Sequence, residues 1–369
     1  MLWDVAMQPL PQSLARSTPS ATPVPAAGDG PPVMEMEGVW RRYDDLVAVR
    51  DVSLTISEGT ILGLIGPSGS GKTTIIRMLS GTLGPSEGWL KVLGQVPLRF
   101  TREARERIAY MPQLFSLYPD LTASENVNFV SALFGVPWWG RSKLIKRSLS
   151  VVDLWEARNR PARDLSGGMQ RRLELACALV HNPRVLFVDE PTAGIDPMLR
   201  QSIWDELRRL RDEGATLMVT TQYVGEAVYA DRVALLDRGE LIGLETPDAL
   251  RRSAFGGELL QIETLRAVDP EVLRDVAGVR GVRQPGPRTL IAVTDDAGTA
   301  SPRIMDALRA QGIEVSEIAE YQASYDDMFT ALVQRRRDER KEDGEVDDGD
   351  DGGAAPGDPG STDAETRAS

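Results

Sequence analysis

Cysteine and histidine are nearly absent from this chain of 369 residues, which contains one of each. The single cysteine, Cys177, excludes an internal disulfide and fits a reducing compartment. Because Cys177 lies within an apolar run, we interpret it as a packing residue and not as a reactive thiol. The single histidine, His181, is expected at the end of a helix, where a cation interacts favourably with the helix dipole.

Long apolar runs are also missing, and lysine is scarce. No apolar run reaches the roughly 18 residues that a membrane-spanning helix requires. Only five of the 42 basic residues are lysines. The basic residues are scattered and do not form a basic face, so nucleic acid is not an expected partner.

The net charge of −13 belongs mainly to the C-terminal end of the chain. Residues 342–369 contain ten acids and one arginine, which leaves the rest of the chain near neutral. We predict a disordered acidic tail over residues 336–369 and a disordered leader, rich in proline, over residues 1–32. Neither composition can build a packed core.

The central part of the chain alternates between short apolar runs and helical stretches. Residues 59–66, 184–190 and 215–221 are continuous apolar runs of the kind that forms buried parallel strands. Thr122 and Glu125 predict a capping box at the start of a helix over roughly 123–134. This alternation predicts an α/β domain over residues 33–256, with ligand sites at the carboxyl ends of its strands.

A second, smaller unit is expected over residues 257–335. Its pattern runs strand, helix, strand, strand, helix, strand, with the first helix over residues 269–279, and a closing helix follows over residues 324–333. The βαββαβ order is typical of a ferredoxin-like α+β domain.

The stretch GPSGSGKTT has the form G-x-x-x-x-G-K-[ST] between a predicted strand and a predicted helix, the setting that this phosphate-binding motif requires. Its glycines let successive backbone N–H groups point at a phosphate, and the helix dipole adds favourable potential. Lys72 is expected to contact the β- and γ-phosphates, and Thr73 to bind Mg²⁺ through its hydroxyl. The predicted phosphate-binding residues are Gly66, Pro67, Ser68, Gly69, Ser70, Gly71, Lys72, Thr73 and Thr74.

The apolar run VLFVDE ends in two adjacent carboxylates, Asp189 and Glu190. Acids buried at the end of a strand are costly unless they bind metal or take part in chemistry. Asp189 suits Mg²⁺, directly or through water, and Glu190 is placed to polarise an attacking water as the catalytic residue.

The stretch LSGGMQRR predicts a second anion site in the same chain. Ser166 is a good N-cap, whereas Gly167 and Gly168 weaken the first helical turn and leave its N–H groups accessible. Arg171 and Arg172 are expected to form ion pairs on the surface of this helix, with contact to a nucleotide or to a second subunit as the alternative.

As one set, these motifs resemble those of the nucleotide-binding subunit of an ABC transporter, in the family's order over residues 33–245. GPSGSGKTT resembles the Walker A loop, VLFVDE the Walker B strand and LSGGM the family signature. By the same resemblance, Gln113 is the Q-loop residue that senses Mg²⁺ and the lytic water, Asp196 is the D-loop carboxylate, and Tyr43 is the aromatic that stacks on adenine. The implied fold is an ABC-type P-loop NTPase core with an antiparallel subdomain and a helical signature subdomain, followed here by the ferredoxin-like unit.

The resemblance implies a head-to-tail dimer that holds two ATP molecules, each contacted by Lys72 of one chain and by Ser166 and Gly168 of the other. A homodimer or a pair of ABC subunits would explain two anion sites in one chain. A separate integral membrane permease, docked on residues 114–135, would hold the chain on the cytoplasmic face of the membrane. The segment after Gln113 and the closing helix resemble the exporter branch that carries drugs, antibiotics or lipids.

Other functions stay open at this point. An importer motor, a soluble ABC ATPase acting on ribosomes or DNA, and a regulatory nucleotide binder would share most of these motifs. The single cassette argues against a ribosome-acting ATPase, and the short interval from Lys72 to Ser166 leaves no room for the coiled coil of chromosome-type ATPases.

Gln222 stands where the family's switch histidine is expected, just after the strand at residues 215–221. Its amide can donate a hydrogen bond to the γ-phosphate, but it cannot titrate near neutral pH. Two interpretations follow. Either the enzyme is active, with Glu190 as the base and Gln222 as a clamp, or the site is slow.

Overall fold

The computed structural model of the chain describes residues 30–113, 117–321 and 323–342. Most of the predicted leader and most of the predicted acidic tail lie outside these residues. The first strand begins at Pro32 and the last helix ends at Glu342, so regular structure extends past the boundaries predicted at residues 32 and 335. In the described part of the chain, no helix is both long and apolar enough to cross a membrane.

The described strands form three sheets, two of them in the predicted α/β domain. The antiparallel three-stranded sheet contains β1 (Pro32–Tyr43), β2 (Leu46–Ser57) and β4 (Glu87–Val92), with β1 in the centre. The six-stranded sheet contains β3 (Ile61–Ile65), β5 (Ile108–Met111), β6 (Val185–Asp189), β7 (Thr216–Thr221), β8 (Arg232–Asp237) and β9 (Glu240–Glu245). Its order is β5-β6-β7-β3-β8-β9, parallel except for the antiparallel pair of β8 and β9.

Helices alternate with the strands along the α/β domain. They are α1 (Lys72–Leu79), α2 (Arg102–Arg105), α3 (Ala123–Leu133), α4 (Trp138–Val151), α5 (Gly167–Leu179), α6 (Pro197–Asp212) and α7 (Pro247–Phe255). The predicted capping box is confirmed at the start of α3, where Thr122 and Glu125 each bond the other's backbone N–H. Short 3-10 turns lie at Pro97–Arg99, Trp155–Ala157, Ala162–Asp164 and Val224–Tyr229.

The central strands are buried on both faces, as their continuous apolar sequences predict. On β3, Ile61 and Ile65 face one hydrophobic core, while Leu62 and Leu64 face the other. The first core includes residues of α5 and α6, and the second includes residues of α1 and the antiparallel sheet. The carboxyl ends of β3, β6 and β7 therefore come together at one edge of a rigid sheet.

The smaller unit contains β10 (Glu258–Thr264), β11 (Val279–Gly286), β12 (Thr289–Thr294), β13 (Val315–Glu320) and α8 (Ala297–Ala310). Its sheet order is β11-β12-β10-β13, with all neighbours antiparallel. The helix predicted over residues 269–279 is only a 3-10 turn at Pro270–Leu273. Its C-terminal part contains β-branched valines and Gly278 at φ 93°, which are poor helix formers.

The closing helix, α9 (Tyr325–Glu342), packs against α7, β9 and the 3-10 turn at Val224–Tyr229 of the α/β domain. Met328 and Leu332 belong to the larger core of that domain together with Val224 and Leu250. The guanidinium carbon of Arg251, on α7, lies 4.6 Å from the centroid of the Tyr325 ring. The helix predicted over residues 324–333 is thus present, and its assignment to an accessory unit of residues 257–335 stays a prediction.

Candidate functional site

The phosphate loop lies between the end of β3 and the start of α1, and close backbone packing fixes its shape. A Cβ atom at Gly66 would lie 2.1 Å from the carbonyl oxygen of Leu236. Gly71 has φ 103°, and a Cβ atom there would lie 2.4 Å from the carbonyl oxygen of Ala48. Only glycine fits at either position. The loop thus rests against β2 and the end of β8.

Lys72 is enclosed by its own loop, while Pro67, Ser68 and Gly69 at the tip are exposed. Lys72 is 4% exposed, and its ammonium donates hydrogen bonds to the carbonyls of Gly66 at 2.8 Å and Pro67 at 2.9 Å. Burial lowers the pKa of Lys72, and the nearby carboxylates of Glu190 and Asp189 act in the opposite direction. The loop therefore holds a cation at the position that phosphates would approach.

Asp189 ends β6 beside the first turn of α1 and is fully buried. Its Oδ1 accepts hydrogen bonds from Thr73 at 3.3 Å and from Thr220 at 2.5 Å. Its Oδ2 has no hydrogen-bond partner in the described part of the chain. A buried carboxylate oxygen without a donor is costly unless a cation balances it, so the Thr73 hydroxyl and Asp189 fit a Mg²⁺ site.

Glu190 adopts a left-handed backbone conformation, with φ 48°, which is uncommon for a non-glycine residue and recurs at functional sites. Its N–H donates to the carbonyl oxygen of Thr220 at 3.1 Å and to its hydroxyl at 3.0 Å. The residue is 7% exposed, and its Oε2 accepts a hydrogen bond of 2.8 Å from the Gln113 amide. The structure thus brings Lys72, Gln113, Asp189 and Glu190 together.

The signature residues lie at the start of α5. Ser166 is the N-cap, with its hydroxyl accepting a bond of 3.4 Å from the N–H of Met169. Ser166 and Gly167 are exposed, as is Asp196 before α6. Helix α5 packs against α3, α4 and β5, whereas the phosphate loop rests on β2 and β8.

Arg171 is not on the surface, contrary to the expectation for the signature helix. It is 9% exposed and forms a buried ion pair with Glu174 at 2.7 Å. Arg172, the next residue, is partly exposed and donates to the carbonyl of Val152 at 3.1 Å. Successive helical residues point about 100° apart, so two adjacent arginines face different surroundings.

Tyr43 and Gln222 lie at the ends of their strands. Tyr43 ends β1, is 37% exposed and has the guanidinium carbon of Arg41 at 4.5 Å from its ring centroid. Gln222 directly follows β7 and is exposed. At the next residue, the guanidinium carbon of Arg200 lies 4.3 Å from the Tyr223 ring centroid.

His181 does not act as a cation at the end of α5. That helix ends at Leu179, and the His181 ring stacks on Phe134 with centroids 3.7 Å apart. Its Nε2 lies 3.1 Å from the carbonyl oxygen of Ile108, and burial lowers the pKa of the imidazole. His181 is therefore a packed side chain that favours the neutral form.

Thr220 is a site residue that the sequence interpretation missed. The register pairs Asp189 with Thr220 across β6 and β7, and the Thr220 side chain bonds both acids of the Walker B pair. The usable signal was a threonine near the carboxyl end of an otherwise apolar strand, where a hydroxyl needs a polar partner.

Comparison with known proteins identifies the family. The sequence profile described as ABC transporter matches residues 49–193. The daunorubicin/doxorubicin resistance ATP-binding protein DrrA of Streptomyces peucetius is 34% identical over 315 residues, which cover 83% of this chain and 94% of that protein. The probable multidrug ABC transporter ATP-binding protein YbhF of Escherichia coli (strain K12) is 37% identical over 229 residues, which cover 62% of this chain but only 40% of that protein.

The fold comparison agrees with the sequence. A dimeric structure of a post-hydrolysis state of the ATP-binding cassette MJ0796, bound to ADP and Pi, matches with a TM-score of 0.53 and 28% identity. The match covers 58% of this chain and 98% of that chain. The α/β domain is thus a P-loop ATPase domain.

The chain belongs to the ABC transporter family, as one of its ATP-binding and ATP-hydrolysing subunits. The expected ABC-type core and ATPase activity class are confirmed. Among the solved structures that this chain resembles, the MJ0796 cassette is dimeric and bound to ADP and Pi, and cbiO1 of Clostridium perfringens is part of the ABC transporter complex cbiONQ.

Proposed function

We propose that this chain is the motor of an exporter, in which two copies, or this chain and a paired ABC subunit, hold two MgATP molecules head to tail. The observation that carries the proposal is the exposure of Ser166 and Gly167 at the start of α5, while Lys72 is enclosed in its own phosphate loop. Two helix N-termini suited to anions then face one nucleotide from opposite chains.

Within each site, Lys72 and the N–H groups of residues 66–74 hold the β- and γ-phosphates, and Tyr43 stacks on the adenine. Thr73, Asp189 and Gln113 are the residues that would hold Mg²⁺, which supplies positive charge to the phosphates when bound. Ser166 and Gly168 of the other chain contact the γ-phosphate, and Asp196 lies at the same interface.

Glu190 is proposed as the catalytic base. Its carboxylate accepts the proton of the attacking water as the water oxygen bonds to the γ-phosphorus and the bond to the ADP oxygen breaks. The Gln113 amide, which donates to Glu190 Oε2 at 2.8 Å, orients that carboxylate. Gln222 would then donate a hydrogen bond to the γ-phosphate as a neutral clamp.

The permease contact is proposed at the exposed aromatic surface formed by α3, the start of α4 and the segment before α3. The exposed apolar side chains here are Tyr118, Phe129, Leu133, Trp138 and Trp139, with Trp138 at 77% and Trp139 at 72%. Exposed apolar patches of this kind mark interaction sites. This surface overlaps the segment at residues 114–135 that was predicted to dock the permease and continues past it to Trp138 and Trp139. Residues 114–116 of that segment lie outside the described residues.

The exporter assignment is supported by the names of DrrA and YbhF, which refer to drug resistance and multidrug transport. The proposed location is the cytoplasmic face of the cell membrane, bound through the permease. An importer motor, a soluble ABC ATPase and a regulatory subunit with a slow site remain the alternatives that experiments must separate.

A Glu190→Gln variant of the full chain tests the dimer. Without its base, the variant should accumulate with ATP as a dimer in light scattering, while the same variant without ATP stays monomeric. Lys72→Ala is the control, because it loses the phosphate-binding cation and should stay monomeric with ATP. A Glu190→Gln chain that binds ATP but remains monomeric would contradict the proposed arrangement.

A membrane-association assay tests the partner. Co-expressed with a candidate permease, the chain should sediment with membranes. The double variant Trp138→Ala/Trp139→Ala should be released from them and keep its ATPase activity in solution. Trp89→Ala is the matched control, since Trp89 is 41% exposed on the antiparallel sheet. Equal retention of all three proteins would reject the proposed docking surface.

A further inference from the structure

The guanidinium of Arg171 lies at a junction between three parts of the ATPase domain. One terminal nitrogen donates to the carbonyls of Pro112 at 2.8 Å and Gln113 at 3.1 Å, and to Glu174 Oε2. The other donates to the carbonyls of Asp189 at 2.7 Å and Glu190 at 2.9 Å. One side chain of the signature helix thus binds the backbones of both the Q-loop and the Walker B end.

The charge of this group is balanced inside the protein. Glu174, one turn further along α5, is 4% exposed and lies 2.7 Å from the Arg171 guanidinium. Burying an ion pair is rarely stabilising in itself, because desolvation offsets the attraction. The pair is instead suited to fixing the geometry of the carbonyls that Arg171 binds.

The residues held by Arg171 are those proposed to carry the chemistry. Gln113 and Glu190 are bonded side chain to side chain at 2.8 Å, and Arg171 binds the backbone carbonyl of each. Glu190 also has φ 48°, a conformation that surrounding contacts must hold in place. A displacement of Arg171 would therefore move both the base and the amide that orients it.

The same helix begins with the signature. Ser166 is five residues before Arg171, about 7.5 Å along the helix axis at 1.5 Å per residue. In the proposed head-to-tail dimer, on which this inference rests, Ser166 contacts the nucleotide of one site, whereas Glu190 of the same chain serves the other site. Helix α5 therefore runs from one ATP site to the catalytic residues of the second.

We propose that Arg171 is a positioning residue that couples the two ATP sites. When the signature engages the γ-phosphate at one site, α5 shifts, and Arg171 transmits the shift to the backbones of Gln113 and Glu190 at the other. Hydrolysis at each site then depends on occupancy of both.

The test is the steady-state ATPase rate of the full chain as a function of ATP concentration, with Arg171→Gln as the main variant. For the wild type we expect a Hill coefficient approaching two, the number of sites in the dimer. Arg171→Gln should bring it near one and lower kcat about 10- to 100-fold, while the Kd for a fluorescent ATP analogue changes less than about threefold. Arg172→Gln is the matched control on the same helix and should keep the wild-type Hill coefficient.

Arg171→Lys separates positioning from folding. Lysine keeps the charge beside Glu174 but cannot reach all the carbonyls at once, so its kcat and Hill coefficient should fall between those of the wild type and Arg171→Gln. If Arg171→Gln does not fold, the lysine variant decides the question. Wild-type cooperativity in a folded Arg171 variant overturns the inference. So does a fall in kcat that is accompanied by an equally large loss of affinity for the ATP analogue and a loss of thermal stability.

The dimer proposal fails in a different way. If wild-type hydrolysis is not cooperative and Glu190→Gln does not dimerise with ATP, the dimer itself is rejected, and this inference with it. If the wild type is cooperative and Glu190→Gln dimerises, a cooperative Arg171→Gln rejects only the coupling role of Arg171.

Discussion

Thr220→Val should damage the magnesium site without creating a cavity. Valine has nearly the volume of threonine but lacks the hydroxyl that donates to Asp189 Oδ1 at 2.5 Å. Thr220 is fully buried, so water cannot replace the lost donor. The Glu190 N–H keeps the carbonyl of Thr220 as a partner at 3.1 Å, which confines the main loss to Asp189.

The size of the effect follows from the type of bond that is lost. A hydrogen bond to a charged group contributes about 1.5–3 kcal/mol, so the free energy of unfolding should fall by that amount in urea titrations. Removing a residue that orients a metal ligand lowers metal affinity about 10- to 100-fold. The Mg²⁺ concentration for half-maximal ATPase activity should rise by the same factor.

Thr220→Ser is the matched control, because it keeps the hydroxyl and loses one methyl group. Its unfolding free energy should fall by only about 1 kcal/mol, and its Mg²⁺ dependence should stay that of the wild type. The reasoning is refuted if the valine variant needs no more Mg²⁺ than the wild type, or if the serine variant is the more impaired of the two.

Three further predictions concern the switch residue, the single histidine and the closing helix. Gln222→Ala should lower kcat about ten- to a thousandfold through loss of one hydrogen-bond donor in the transition state, and wild-type turnover would reject the clamp. Burial lowers the pKa of His181 from its ordinary value of 6.5, so below that pH the unfolded chain binds more protons than the folded chain. The free energy of unfolding in urea should therefore decrease as the pH falls from 6.5, and His181→Gln should reduce this pH dependence. Met328→Ala should cost about 2–5 kcal/mol of unfolding free energy, because Met328 is fully buried, whereas Met198→Ala, at a position 82% exposed, should cost almost nothing.

Local sequence was sufficient to predict those features of the fold and the site that depend on a single strand, loop or helix end. The apolar runs around residues 61–65, 185–189 and 216–221 became parallel strands because a strand buried on both faces must be apolar throughout. The glycines of the phosphate loop were predictable for a similar reason, since the loop must approach a phosphate with its backbone. The capping box at Thr122 and Glu125 needs only four consecutive residues.

Tertiary packing decided the features that were predicted wrongly or missed. Residues 324–333 were correctly predicted to be helical, but their sequence does not say which of two cores Met328 and Leu332 will join. The helix predicted at residues 269–279 shortened to one turn between strands that already complete a sheet. Thr220 became a site residue because β6 and β7 are neighbours, and that adjacency is a property of the whole sheet.

The two adjacent arginines show how function arises from this packing. Arg171 and Arg172 are the same residue type on the same helix, and ordinary surface pairing was expected for both. The helical repeat turns Arg171 towards the backbones of Gln113 and Glu190 and Arg172 towards the carbonyl of Val152. The glutamate that balances Arg171 stands at the third position after it, on the same face of α5. An arginine followed three residues later by a glutamate, where the helix becomes apolar, is therefore the sequence signal that could have indicated a buried junction beside the catalytic residues.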